Sequence, residues 1–294
     1  MDTEDLRKFI VVAKLNNLQQ AAKQLHQTPS ALSKVIKRLE TLLNTQLFDR
    51  VGRNIVLNRQ GEKFSYYAQH IVHEADQALS EFVGKEKAVQ INIAGPSVLI
   101  QHWVGMLLDK LENEHYEINV NVKWEDDAID QLTHGHAHLA LVTDVALSNL
   151  SHPSDFENIL LGTTLFKVVA SPKHTLFNDN PKGLLSSEML LKYPFACPSV
   201  SPFCGITRGV SSDGWRDDKV ARRIGFRCND FSVLMSLVQQ GRAIAYVPDF
   251  IAEHYALSIV DVVDCDNHCE ENIRLVYKPS LADGWLNKLI ARFD

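Results

Sequence analysis

The stretch Thr28–Glu40, TPSALSKVIKRLE, admits few structures. Thr28 is a strong helix N-cap, because its hydroxyl can accept from an N–H of the first turn. Pro29 stands at the first helical position, where a missing N–H costs nothing. On a helix started there, Leu32, Val35, Ile36 and Leu39 share one face at i, i+3, i+4, i+7. The opposite face carries Ser30, Ser33, Lys34, Lys37 and Arg38. That face is basic, bears hydroxyls and is almost free of acids. It suits a DNA major groove, where Lys and Arg meet phosphates or guanine and hydroxyls meet either. A solvated surface helix has the same look, so the flanking segments must decide between the two.

Upstream, an acidic first turn (Asp2, Glu4, Asp5) precedes a stripe of Leu6, Phe9, Ile10 and Ala13, and Asn16-Asn17 ends that helix. Leu18–Leu25 reads as a short second helix with Leu18, Ala21, Ala22 and Leu25 inward. Two short helices, alanines at their crossing and a short turn before Thr28 are the requirements of a helix-turn-helix. Downstream, Asn44 reads as a left-handed cap. Leu47-Phe48 and Ile55-Val56-Leu57 read as strands of a wing, with Arg50 and Arg53 at its tip. Residues 1–61 hold ten Lys+Arg against five Asp+Glu, a net of +5, whereas the remainder carries −11 of the overall −6. A basic head on an acidic body points to a polyanion partner for the head alone.

Phe9, Leu18-Gln19-Gln20-Ala21-Ala22, Leu25, Pro29-Ser30-Ala31-Leu32-Ser33, Ile36, Leu39-Glu40, Leu43, Leu47-Phe48, Arg50, Leu57 and Gly61 resemble, in order and spacing, the DNA-binding domain of the LysR-type transcriptional regulators. Asn44 departs from that family's usual Gly and Asn58 from its usual Thr. Both keep the physical role of a cap. The resemblance implies a winged helix-turn-helix head of all-α type. In it Ser30, Ser33 and Lys34 approach base edges, while Lys37, Arg38, Arg50 and Arg53 set register on phosphates. Gln19, Thr28 and Pro29 complete the expected DNA-binding set.

Asn58 caps a long helix, about Arg59 to Val83, with Phe64, Ala68, Ile71, Ala75, Ala78 and Phe82 at heptad spacing. The resemblance makes this a linker helix that pairs two subunits, and it implies homotetramers built from two kinds of dimer. Gly84-Lys85-Glu86-Lys87 is a polar hinge. From Val89 short apolar runs alternate with amphipathic helices, the sign of an α/β fold with largely parallel sheets. Strands are expected at VQINIA, EINVNVKW, HLALVT, LFKVVAS, YPFAC, Val220–Arg227, AIAYVP and IRLVY; helices at Ser97–Leu111, Asp126–His134, Phe231–Gln240 and Ala282–Arg292. The family's sensor region has two α/β subdomains, as in a periplasmic binding protein. The expected division is 1–61 for the head, 62–88 for linker helix and hinge, and 89–294 for the effector-binding region. Within the last, lobe I takes about 89–163 and 268–294, and lobe II about 164–267.

Ligands of open α/β sheets bind outside the carboxyl ends of strands, where helix N-termini favour anions. Ser97, Thr143, Ser199, Asn229 and Val247 stand at such ends and are the candidate effector-binding positions. His134, His136 and His138 alternate, but no Cys lies near and a closed metal site needs four ligands, so they read as a surface turn. The five cysteines (Cys197, Cys204, Cys228, Cys265, Cys269) read as free thiols of a reducing compartment. Walker, G-x-G-x-x-G, G-x-S-x-G and H-E-x-x-H patterns are missing.

The sequence thus reads as a cytoplasmic DNA-binding regulator, not an enzyme, with neither cofactor nor metal. Its expected partners are double-stranded DNA, a small and anionic effector between two lobes, and further copies of itself, with no membrane. Two other readings remain open: a redox-responsive regulator using Cys197 and Cys204, and a solute-binding or enzymatic C-terminal region tethered to a DNA head. The effector, the operator and the sign of regulation are not legible.

Overall fold

The computed structural model describes residues 1–52, 54–83, 89–111, 116–150, 153–207, 211–264, 269–279 and 284–293. Arg53, the Gly84-Lys85-Glu86-Lys87 hinge, Arg208, Cys265, Ala282 and the side chain of Phe82 lie outside the described residues.

The head comprises α1 (Thr3–Leu15), α2 (Leu18–Gln24), α3 (Pro29–Leu43), β1 (Phe48–Val51) and β2 (Asn54–Leu57). Its boundaries are chemical. Asn16 and Asn44 close α1 and α3 in left-handed backbone, at φ 49° and 48°. Asn17 Oδ1 caps α2, and Thr28 Oγ1 accepts from the Ala31 N–H at 3.2 Å. The wing strands pair antiparallel from Phe48↔Leu57 to Val51↔Asn54, so the turn is two residues long, with Gly52 at φ 62°.

The long helix α4 (Arg59–Val83) begins under Asn58, whose Oδ1 accepts from Gln60 and Gly61 N–H. Its apolar seam divides between two duties. Phe64 and Ala68 are buried in the head core, where Phe64 meets Phe9 edge-on at 5.0 Å, whereas Ile71 is 38% exposed and Ala78 is exposed. The first heptad is therefore spent inside the protomer. Gly61 makes the junction: a Cβ there would stand 2.0 Å from the Leu47 carbonyl oxygen.

The C-terminal part is α/β. Lobe I holds β3 (Val89–Gly95), α5 (Ser97–Asp109), β4 (Tyr116–Val122), α6 (Glu125–Thr133), β5 (Leu139–Thr143), α7 (Asp144–Ser148), β12 (Glu270–Tyr277) and α12 (Trp285–Ile290). Lobe II holds α8 (Leu176–Asp179), β7 (Leu184–Leu185), α9 (Ser187–Leu190), β8 (Phe195–Pro198), β9 (Ile224–Cys228), α10 (Phe231–Gln239), β10 (Ala245–Pro248), α11 (Phe250–His254) and β11 (Ser258–Val262). Between them runs β6 (Glu157–Ala170).

The expectation of a strand beginning at Leu165 is corrected here: β6 starts at Glu157 and spans 14 residues. Its residues 157–165 pair with β12, and its residues 166–170 pair with β10 and β11. The largely parallel expectation holds for β3, β4 and β5 and for β8 and β9, but β6, β10 and β12 cross antiparallel. The burial of β6 changes from half-exposed to buried along its length, and its register with β12 shifts between Ile273 and Arg274.

Gly61→Ala should destabilise the head by about 1–3 kcal/mol or more, since a backbone carbonyl cannot yield to a methyl group. Urea unfolding of the variant against wild type reads this as a lowered midpoint.

Candidate nucleic-acid interface and inter-lobe cleft

On α3 the sequence pattern becomes two faces. Leu32, Val35, Ile36 and Leu39 are buried, and Ser30, Ser33, Lys34, Lys37 and Arg38 are exposed, as are Gln19, Thr28, Pro29 and Arg50. The presented face therefore joins the α2 N-terminus, the α3 N-terminus with its spare N–H groups, and the basic run. Arg38 has a second duty, because its guanidinium pairs with the buried carboxylate of Asp5 on α1. Glu40 faces inward: its Oε1 accepts from the Leu47 N–H at 2.8 Å and ties α3 to the wing.

In the C-terminal part, strand polarity brings two sets of carboxyl ends together. β3, β4 and β5 run parallel, so Gly95, Val122 and Thr143 end along one edge, and β12 carries that edge to Gly162 of β6. In lobe II, β8 and β9 end side by side at Pro198 and Cys228, and Pro248 of β10 lies opposite Phe166 of β6. Gly162 and Phe166 are separated by about 13 Å of strand. The two lobes therefore face each other across the crossing.

A cavity of about 350 Å³ lies there. Lobe I and β12 contribute Glu125, Thr143 and Glu271, and β6 contributes Phe166. The long β8–β9 connection contributes Phe203, Ser201, Ser211, Ser212 and Asp213. Glu125 is wholly buried, and its Oε1 accepts from the Thr143 N–H at 2.6 Å. Its own N–H crosses to the Phe203 carbonyl at 3.2 Å. Beside this bond the Trp124 ring lies flat on Gly205, where a Cβ would stand 2.6 Å from two ring atoms. Further out, His102 stacks on Phe250 at 4.4 Å and the Tyr255 hydroxyl donates to Gln101 at 3.2 Å.

The β8–β9 connection is pinned from behind. Arg222 and Asp213 form a two-pronged ion pair at 2.7 Å with side chains 1% and 2% exposed, and Asp217 accepts from Arg222 Nε at 3.0 Å. Burial opposes the Arg222 charge, yet the Asp213 hydrogen bonds and charge hold its pKa above the ordinary value. The guanidinium also lies over the Phe195 and Trp215 rings. The Ser212 hydroxyl donates to the Pro198 carbonyl.

Of the five expected effector positions, Thr143 lines the cavity. Ser97 is exposed at the α5 N-terminus, and Ser199 and Asn229 are exposed at the adjoining ends of β8 and β9. Val247 is buried and sits in the ladder opposite Lys167. The expected anion meets no Lys or Arg among the described lining residues, whose charges are those of Glu125, Asp213 and Glu271. These residues escaped the sequence reading. Glu125 looks like its neighbours Asp126 and Asp127 in an acidic first turn, and only the long Ser- and Gly-containing stretch 199–214 hinted at the loop.

The histidines do separate work: His134 is bonded to Asp130, and His138 Nδ1 accepts from the Asn92 N–H at 3.0 Å. Cys197 is buried, and burial together with the nearby Asp213 charge pushes its thiol up to about 12. A thiol so protonated is a poor nucleophile. No described helix is long and apolar enough to cross a membrane.

Two family models match the chain: the bacterial regulatory helix-turn-helix protein, lysR family, over residues 3–62, and the LysR substrate binding domain over residues 84–282. The HTH-type transcriptional regulator DgdR of Burkholderia cepacia is 31% identical over 122 residues, 42% of this chain and 42% of that one. CrgA of Neisseria meningitidis serogroup C is 24% identical over 263 residues, 86% of this chain and 81% of that one. The first curated relatives are matched over about half of their own length, 42% to 50%. Among solved structures, ArgP from Mycobacterium tuberculosis aligns with a TM-score of 0.67 at 19% identity, covering 100% of this chain and 96% of that one. Full-length LysG from Corynebacterium glutamicum with bound effector Arg aligns at 0.64 and 15% identity, covering 99% of each. Full-length CbnR complexed with target DNA aligns at 0.56 and 18% identity, covering 100% and 97%. At these identities the likeness to solved structures carries the fold.

In the native protein, iodoacetamide at pH 8 should leave Cys197 unmodified over a period that alkylates it fully in urea, read by peptide mass spectrometry. Gly205→Ala should lower the thermal midpoint, because φ of 69° and the Trp124 ring both oppose a Cβ. Trp124→Ala in the same chain should recover part of that loss.

Proposed function

The chain belongs to the LysR family of bacterial helix-turn-helix regulators, and we propose on that premise that it is a DNA-binding transcriptional regulator controlled by a small molecule. The observation that carries this reading is the exposed basic and hydroxyl face of α3, held by a buried stripe on the other side. Ser30, Ser33 and Lys34 meet base edges. Lys37, Arg38, Arg50 and Arg53 meet phosphates, and Gln19, Thr28 and Pro29 border the same face. A LysR-type relative has been solved with its target DNA, and this supports the assignment.

Residues 1–61 act as the reading head, 62–88 as the linker, and 89–294 as the effector-binding region. Two copies pair through the exposed side of α4, where Tyr67 is 50% exposed and Ile71 38%. The effector enters between the lobes, and the cavity at Thr143 and Phe203 is its place. LysG with bound effector Arg supports small-molecule control of this fold. The protein works in the cytoplasm and is not an enzyme. The redox reading is disfavoured by the protonated, buried Cys197.

Lys37→Ala should weaken binding to every sequence and flatten the dependence of log K on log salt by about one unit. Ser33→Ala or Lys34→Ala should cost about 1–3 kcal/mol on the preferred site and less on random DNA. Fluorescence anisotropy with both kinds of duplex separates the two classes, and equal loss on both would place the wrong face in the groove.

A further inference from the structure

The wing is anchored unevenly. At its base, Asn58 N–H donates to the Leu47 carbonyl at 3.0 Å and Asn58 Nδ2 to the Gln46 carbonyl at 3.0 Å, so α4 holds that end firmly. Two four-residue strands make a hairpin that is marginal alone. At the tip end, two described hydrogen bonds leave the hairpin for the rest of the head. The Ile55 N–H donates to the Asn16 carbonyl at 3.3 Å, and Asn17 Nδ2 donates to Asn54 Oδ1 at 2.9 Å. Asn54 is the first paired residue after the turn.

The orientation of the Asn17 amide is dictated. Its Oδ1 already accepts from the Gln19 and Gln20 N–H groups at 3.0 and 3.1 Å as the cap of α2, which leaves Nδ2 as the group that can reach the wing. The same side chain thus starts the helix that carries Gln19 and tethers the hairpin that carries Arg50. We infer that Asn17 and Asn54 are a positioning pair, which fixes the wing relative to α2 and α3 so that Arg50 and the α3 face engage one duplex at the same time. This rests on the DNA-binding reading given above. Without the pair the Ile55–Asn16 bond is what remains of the two tip-end ties described, the tip is held less closely, and an arginine that must be ordered on binding contributes less than one already in place.

The test uses the full-length chain, a fluorescein-labelled mixed-sequence duplex and a KCl series. Asn17→Ser keeps a good N-cap hydroxyl but is too short to span to Asn54. Asn54→Ala removes the acceptor. Each variant should weaken binding roughly fivefold to tenfold at fixed salt and flatten the salt slope by about one unit, the loss of one phosphate contact. The double variant should be no weaker than either single one. Losses that multiply in the double variant, or a lowered thermal midpoint with an unchanged salt slope, would show two independent structural residues and overturn the pair. Wild-type chain that fails to bind the duplex at any salt would overturn the DNA-binding reading itself, whereas wild type that binds with variants that match it would overturn the pair alone.

Discussion

One strand is in hydrogen-bonded register with both lobes. β6 pairs with β12 over its first nine residues and with β10 and β11 over its last five, so the lobes share backbone and not merely a surface. The cavity lies beside this crossing. Its walls come from both sides, and the Glu125–Phe203 bond and the Trp124–Gly205 contact report whether those sides are closed together.

The loop that closes the cavity is held by a buried ion pair, which is a costly way to hold a loop. Removing Arg222 and Asp213 from water carries a penalty of several kcal/mol per ion, offset only when geometry and further hydrogen bonds are good. Here they are: the pair is two-pronged, Asp217 accepts from the same guanidinium, and two aromatic rings flank it. An apolar contact could supply similar stability, but it would not fix direction. The ion pair, with the Ser211–Asp213 hydrogen bond, fixes how Ser211, Ser212 and Asp213 line the cavity.

The head obeys a different economy, in which a single helix belongs to two surfaces. Phe9 meets Phe48 at 5.5 Å and Phe64 at 5.0 Å, so α1, the wing and α4 share one aromatic centre. Phe64 is on α4, so the first turns of that helix are packed into the head core with α1 and the wing. The heptad pattern of α4 had suggested a single use, pairing with a twin; burial shows that Phe64 and Ala68 belong to the head while Ile71 and Ala78 remain outward.

How much was legible follows the range of the forces. The helices of the head were readable because their determinants are local: a cap within three residues, an Asn able to take a left-handed φ, an apolar stripe every third or fourth position. The exposed face of α3 follows from the buried one, so its polar residues were legible before any fold was known. The cavity was not. Glu125, Asp213 and Glu271 are scattered over nearly half the chain, and nothing near Glu125 in sequence distinguishes it from Asp126 and Asp127, which stay exposed. Strand β6 was half read, since its first residues are half-exposed and a register shift against β12 interrupts its alternation. The sequence by itself determined the family, the helix-turn-helix head and the alternation of strands and helices, because each depends on neighbours along the chain. Tertiary structure alone decided which carboxylates are buried between the lobes, because burial depends on what the distant β8–β9 loop covers.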